Sequence, residues 1–458
     1  MARFSWGVRL VAASVALASP LFAQQARTPA PHTLAIAAGY KAAMLCSGIF
    51  IAGRSEAQVA QDELAGIYPE YDAIVPTLAA TVSRPTGLVT VGFAADLPPR
   101  VAMWRPGKGC TTLPIGAAVP AVGTPPPPVA GPAAAPFPLG DALPRIAAPP
   151  IPVIARAFEG KGYGGKTTGI VVLQGPRLIG ERYAEGFGPF TAQRTWSVAK
   201  SVTGTLVGIA VKQGAVRVEA PAPIAAWGRP GDPRRAITLD QLLRMASGLH
   251  SDTAGNRTDA VYFGGASVSE NVTAWPLEAR PGTRFRYANN DILLAMLSLR
   301  QSLGEARYAS WPARALFDRI GMRHSVIESD WQGNFVSSSQ MWTTARDLAR
   351  FGLLYLNDGV WNGERILPEG WRKYVTSPSG PQPASGFGYG ATFWLMNKVP
   401  GVPADAFSAN GNRGQFVVII PSRNIVIVRR GEDPGGDGFD IGRFTAELLA
   451  ELPPAPAR

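Results

Sequence analysis

RTWSVAKSVTGTLVGIAVKQG, residues Arg194–Gly214, is the stretch on which the reading of this 458-residue chain turns. It holds Ser197 and, one helical turn later, Lys200, ahead of a long apolar run. Three residues on an α-helix subtend about 300°, so the two side chains share a face. Val198, Ala199, Val202, Leu206, Val207, Ile209, Ala210 and Val211 surround them on nearly every side, and a helix apolar all round is normally buried. Lys200 is therefore expected inside, where an ammonium is costly unless it is paired or loses its proton. A serine nucleophile in need of activation would justify burying one.

Other catalytic machinery is scarce. The chain has no Gly-x-Ser-x-Gly, and of its three histidines His32 lies in the N-terminal tail, leaving His250 and His324 as bases for a conventional triad. Zinc, EF-hand, phosphate-loop and dinucleotide motifs are absent, so neither a metal nor a cofactor is expected. Among eight lysines, Ser197–Lys200 is the one Ser-x-x-Lys, and a Ser–Lys arrangement is the natural alternative to a triad. A helix N-terminus also points free N–H groups at an oxyanion.

Tyr287-Ala288-Asn289, just before the helical run NDILLAMLSL, offers a proton carrier for the leaving group. A phenol becomes a usable base beside a cation, which Lys200 supplies. Asn289 then holds the substrate carbonyl or fixes Lys200. The second Tyr-x-Asn, Tyr355-Leu356-Asn357, sits at the tail of an amphipathic helix and reads as its C-terminal turn. SANGNRGQFVVIIP runs from a glycine-rich turn into a strand, and Gly411 and Gly414 permit a close backbone approach. The N–H of Gln415 is the candidate second oxyanion donor beside that of Ser197, although an ordinary hairpin turn has the same pattern.

The remainder of the chain divides by composition. Met1–Ala23 reads as a secretory signal, with Arg3 and Arg9 in its head, LVAASVALA as its core and a cut after Ala23. Export to a periplasm or the medium follows, with association with a cell envelope a possibility. No other apolar run is expected to span a membrane. Residues 24–116 form a small module, with a helix or strand at LAIAAGYKAAMLCSGIFIAG, a helix entered by Ser55 and a hairpin of GLVTVGF and RVAMWRPG. Cys46 and Cys110 fit no metal spacing, so one disulfide is the economical reading and two buried thiols the alternative. Residues 117–152, rich in Pro and Ala, form an extended linker or strap.

Residues 153–458 read as one domain, with strands at both ends and helices between. An antiparallel sheet completed by the terminal segments, with a helical insert, accounts for that order. The net charge of +11 invites nucleic-acid binding, but the 44 basic residues are spread along the chain without aromatic interleaving, so no nucleic-acid partner is expected.

The motifs in this order resemble the class C β-lactamase-like and penicillin-binding-protein-like serine hydrolases over roughly residues 155–452. WSVAKS, LLRMASGL, PGTRFRYANND, TTARDLARFGLLYLNDG and GNRGQFVVIIP are most similar to the esterase and 6-aminohexanoate-dimer hydrolase branch. The resemblance implies an α+β fold, an antiparallel sheet flanked by helices with a mostly helical insert, to which the N-terminal module is an addition. It implies Ser197 as the acylated nucleophile, Lys200 as its activator, Tyr287 as acid/base and Asn289 in support, acting on a small ester, amide or peptide. The position aligned with the family's Lys or His is Asn412, followed by Arg413 and Gly414. That loss of a cation argues against β-lactam turnover unless Arg413 substitutes. The competing readings are a D-Ala-D-Ala-type peptidase or β-lactamase, and a catalytically silent envelope binding or scaffold protein. Tyr262, Trp275 and Trp394 are read as core aromatics before acyl-pocket residues, and loops 250–285 and 376–411 as the segments that shape substrate choice.

Overall fold

A computed structural model describes residues 29–120, 134–142, 150–160, 162–251, 258–435 and 438–453. The proposed signal and the proline run at 125–128 lie outside the described residues.

The N-terminal segment begins with helix α1 (Pro31–Phe50) and α2 (Glu56–Asp62), the latter entered by a capping box between Ser55 and Gln58. Four strands follow, β1 (Ala80–Ser83), β2 (Leu88–Val91), β3 (Arg100–Arg105) and β4 (Gly109–Thr112), in an antiparallel sheet of sequential order. A disulfide joins Cys46 on α1 to Cys110 on β4. By length and a mean hydropathy of 1.4, α1 could cross a membrane, an expectation the sequence reading confined to the signal. Instead 72% of that window is buried within the protein. Gly39 explains how closely it packs, since a Cβ there would lie 2.0 Å from the Phe263 carbonyl oxygen.

β5 (Thr167–Gln174) and β6 (Arg177–Tyr183) form a hairpin around Gly175-Pro176. β7 (Gln193–Arg194) then leads into α3 (Val198–Lys212), buried almost throughout. Within ITLDQLLRMASGL a helix spans only Leu239–Leu243, capped by Thr238. Met245 takes φ 60° and breaks the helix, and Leu249 forms a bridge with Leu277. α4 (Asn289–Leu303) follows. WPARALFDRIGM folds as a π-turn segment, Ala313–Phe317, and a short helix, Asp318–Ile320. β8 (Val326–Ile327) and β9 (Met341–Thr343) pair with β7 in a small sheet of order β7-β9-β8. α5 (Ala345–Leu356) starts from its Thr344 cap.

The C-terminal strands are β10 (Gly388–Tyr389), β11 (Trp394–Leu395), β12 (Phe407–Gly411), β13 (Gln415–Ile420) and β14 (Ile425–Gly431), before the closing helix α6 (Ile441–Glu451). They meet the first hairpin in a seven-stranded antiparallel sheet of order β10-β11-β12-β13-β14-β5-β6. Alternation sorts its side chains. Val171, Leu173, Val417, Ile419, Val426 and Val428 face the larger core, where α5 packs. Ile170, Val172, Val418, Ile420, Ile425 and Ile427 face the smaller core with α6. The larger core also takes in Tyr40, Met44, Val59 and Val89, so the N-terminal segment and the sheet domain share one apolar interior.

Charged groups extend that junction. Glu328 accepts from Ser47 Oγ at 2.6 Å, the Cys110 amide at 3.0 Å and Trp342 Nε1 at 3.2 Å. Arg54 pairs with Glu432 at 3.1 Å, and Arg100 donates to the Phe263 carbonyl at 2.7 Å.

Candidate active site

Ser197 sits at the N-cap of α3, immediately after Trp196, whose φ of 50° is a left-handed conformation rare outside glycine. The Arg194 guanidinium lies 3.8 Å from the Trp196 ring centroid and braces the turn. The turn thereby presents Ser197 where β7 gives way to α3. Lys200 points from the first turn of α3 back toward it.

Among the described residues, Lys200 Nζ bonds Ser197 Oγ at 3.0 Å, Asn289 Oδ1 at 2.6 Å and the Ser338 carbonyl oxygen at 2.8 Å. The last two are acceptors only. A neutral amine that keeps its two N–H bonds to them must turn its lone pair toward Ser197. Burial alone brings the Lys200 ammonium down from 10.5 to about 7. Asn289, the first residue of α4, is held in turn by a 3.1 Å bond from Nδ2 to Thr258 Oγ1.

The Tyr287 hydroxyl hydrogen-bonds the Ser197 side chain, and its ring centroid lies 5.0 Å from Lys200 Nζ. The sequence reading expected Lys200 to pull this phenol down into service as a base. The reverse holds: burial raises the Tyr287 phenol well above its ordinary value. Desolvation disfavours the charged form of each, lowering the amine and raising the phenol.

These residues open onto a cavity of about 620 Å³. Ser197, Tyr287 and Asn289 line it, as do Asn410, Gly411 and Asn412. Gly414 and Gln415, read from sequence as part of the site, do not. The strand beside Ser197 is β12; Gly414 lies in the hairpin turn after it and Gln415 opens β13. The Gln415 side chain donates to the Arg413 carbonyl at 3.1 Å and accepts from Arg430 Nε at 2.6 Å. Gly411 takes the position against Ser197: a Cβ on it would meet the Thr195 carbonyl oxygen at 2.3 Å and Ser197 N at 3.2 Å. Arg413 also turns away, to Glu432 at 2.5 Å and the Asp433 carbonyl at 3.1 Å. It therefore does not replace the family's cation, and among the described residues no charged side chain lines the cavity.

Tyr262 and Trp394 line the cavity, whereas Trp275 stacks near His250. His250 pairs with Glu278, and His324 packs on Phe190. Tyr355 is core, sharing a 2.7 Å bond with Thr205 Oγ1. Sequence reasoning missed the Ser338 carbonyl, Thr258 and the stretch Ile67-Tyr68-Pro69, which brings the N-terminal segment to the cavity wall. None of these carries a motif.

Known proteins resemble this chain in sequence and in fold. A family model described as Beta-lactamase matches residues 154–451. The 6-aminohexanoate-dimer hydrolase of Paenarthrobacter ureafaciens is 26% identical over 301 residues, 59% of this chain and 74% of that protein. The crystal structure of a family VIII carboxylesterase superimposes with a TM-score of 0.55 at 16% identity, covering 67% of this chain and 99% of that one. A penicillin-binding-protein homologue from Caulobacter crescentus gives 0.53 at 16% identity, with the same coverage. At these identities the structures establish the fold alone. The family match spans well over half of the chain, which therefore belongs to the beta-lactamase family of serine hydrolases.

Proposed function

We propose that this protein is an exported hydrolase that cleaves an ester or amide through an acyl-enzyme on Ser197. The observation that carries this reading is the 3.0 Å contact between Lys200 Nζ and Ser197 Oγ, with the amine's other bonds among the described residues going to acceptors, Asn289 Oδ1 and the Ser338 carbonyl. Neutral Lys200 takes the Ser197 proton as Oγ attacks the carbonyl carbon. The oxyanion is stabilised by the Ser197 N–H and by backbone of the Gly411–Asn412 turn. Tyr287 gives its proton to the leaving oxygen or nitrogen as that bond breaks, and the Lys200 ammonium restores it. Water then attacks the acyl carbon by the same relay run in reverse. The relatives' names point the same way, one to an amide-cleaving and one to an ester-cleaving enzyme. Export is supported by the Met1–Ala23 sequence and by the disulfide, which persists in oxidising compartments such as a periplasm.

The test is covalent labelling. A fluorophosphonate should modify the protein once, at Ser197, and hydrolyse-dead Ser197→Ala should take no label. An S197A protein that turns over p-nitrophenyl esters as fast as the parent would refute the assignment.

A further inference from the structure

The family match begins at residue 154, yet the cavity includes Ile67, Tyr68 and Pro69. Resting on the reading of Ser197 as nucleophile, we propose that this N-terminal stretch is a specificity wall. It selects substrates with an apolar chain next to the reacting centre.

Three observations carry the proposal. Tyr68 is bonded to Arg194, three residues before the nucleophile, and its ring lies 6.4 Å from that of Trp196. The wall is therefore tied to the turn that positions Ser197. Second, it is braced from behind: Tyr68 meets Tyr40 edge-on at 4.9 Å and Phe263 at 5.6 Å. Around it, Lys41 donates to the carbonyls of Val75 and Leu78, and Tyr71 to Asp259 at 2.8 Å. A surface so fixed keeps its shape when substrate enters. Third, Trp196, Tyr262, Phe387 and Trp394 share the cavity with Ile67, and the polar groups there, Ser339, Ser385, Asn410 and Asn412, are all uncharged. An alkyl or aryl group lying there buries its surface against rings. A carboxylate would find no cationic partner among the described lining residues.

Ile67 is only half-buried, so it can be changed with little risk to folding. The experiment uses the whole chain and two alkyl fluorophosphonates, ethyl and octyl, with the ratio of their second-order labelling rates at Ser197 as readout. A ratio cancels any general loss of competence. Ile67→Trp fills the wall and Ile67→Asp places a charge on it. Each should lower the octyl-to-ethyl ratio about tenfold or more, the scale on which an apolar pocket discriminates. Ratios within twofold of the parent in both variants overturn the proposal and leave the proposed function intact. No label on Ser197 from either probe overturns the proposed function, and this inference with it.

Discussion

Asn289→Asp is the sharpest probe of the Ser–Lys pair, because it changes charge without changing shape. The new carboxylate would stand where Oδ1 now accepts from Lys200 Nζ at 2.6 Å, and the Thr258 hydroxyl, 3.1 Å from Nδ2, can rotate to donate instead. Two unit charges about 4 Å apart interact by about 4 kcal/mol at an effective dielectric of about 20. Allowing half of that for desolvating the carboxylate leaves about 2 kcal/mol, or between one and two pKa units at 1.36 kcal/mol each. The Lys200 ammonium, about 7 in the parent, should rise to about 8.5.

The sign follows from the role. Only the neutral amine accepts the serine proton, so kcat/KM in the parent should climb through about pH 7 as Lys200 deprotonates. In Asn289→Asp the ascending limb should move up by about 1.5 units, and activity at pH 7 should fall about 15-fold and recover above pH 9. The assay is kcat/KM for p-nitrophenyl butyrate between pH 5 and 10, corrected for spontaneous hydrolysis. A variant with an unmoved midpoint, or one equally impaired at every pH, would refute the reasoning. The first outcome would mean that Lys200 is not the titrating base, and the second that Asn289 acts on substrate.

Four further outcomes follow. Tyr287→Phe removes the hydroxyl bonded to Ser197 and should lower kcat about 10²–10⁴-fold, the usual contribution of a positioned acid or base. Gly411→Ala sets a methyl 2.3 Å from the Thr195 carbonyl oxygen; esterase activity should fall at least tenfold, measured alongside an unchanged far-ultraviolet circular dichroism spectrum. Cys46→Ala/Cys110→Ala opens a loop of 64 residues and should cost about 4 kcal/mol in denaturant unfolding on the chain-entropy account. Burial raises Glu328 from 4.5 to about 7, so its folded form binds more protons than its unfolded form in that window. Its contribution is complete below about pH 4.5 and is lost as pH rises through about 7. The Tm advantage of the parent over Glu328→Gln should accordingly shrink between pH 5 and pH 8.

What the sequence made legible was local. Ser197 and Lys200 are one helical turn apart, so their shared face is dictated by the helix period alone, and Tyr287 and Asn289 flank a helix start that the apolar pattern announces. The third motif was read one strand too late because β12, FSANG, lacks the β-branched signal that QFVVII carries. Small and polar residues hid the strand that borders Ser197, and the turn after it was taken for the start of the site. The wall at Ile67–Pro69 was invisible for another reason. It reaches Trp196 across some 130 positions of chain, and nothing in a one-dimensional pattern marks a contact made by tertiary packing. The direction of the Tyr287 shift was missed likewise, since a neighbouring cation can be read from a motif but the depth of burial cannot.

Burial is the physical term that unites the site. A lysine at its ordinary pKa is almost fully protonated at neutrality and cannot deprotonate serine, and a phenol lowered by a cation would have no proton to give a leaving group. On the mechanism proposed above, excluding water corrects both at once, because desolvation opposes the ammonium and the phenolate alike. The dry surroundings have several origins in the chain: α3 is buried along its length, Trp394 stacks 5.4 Å from Tyr287, and Tyr389 lies edge-on to it at 6.1 Å. On the far side of the cavity the N-terminal segment adds Tyr68, locked to Arg194. A segment outside the family match thus helps enclose the cavity beside Ser197, which gives a physical reason for it to share a core with the sheet domain rather than hang from it as a separate module.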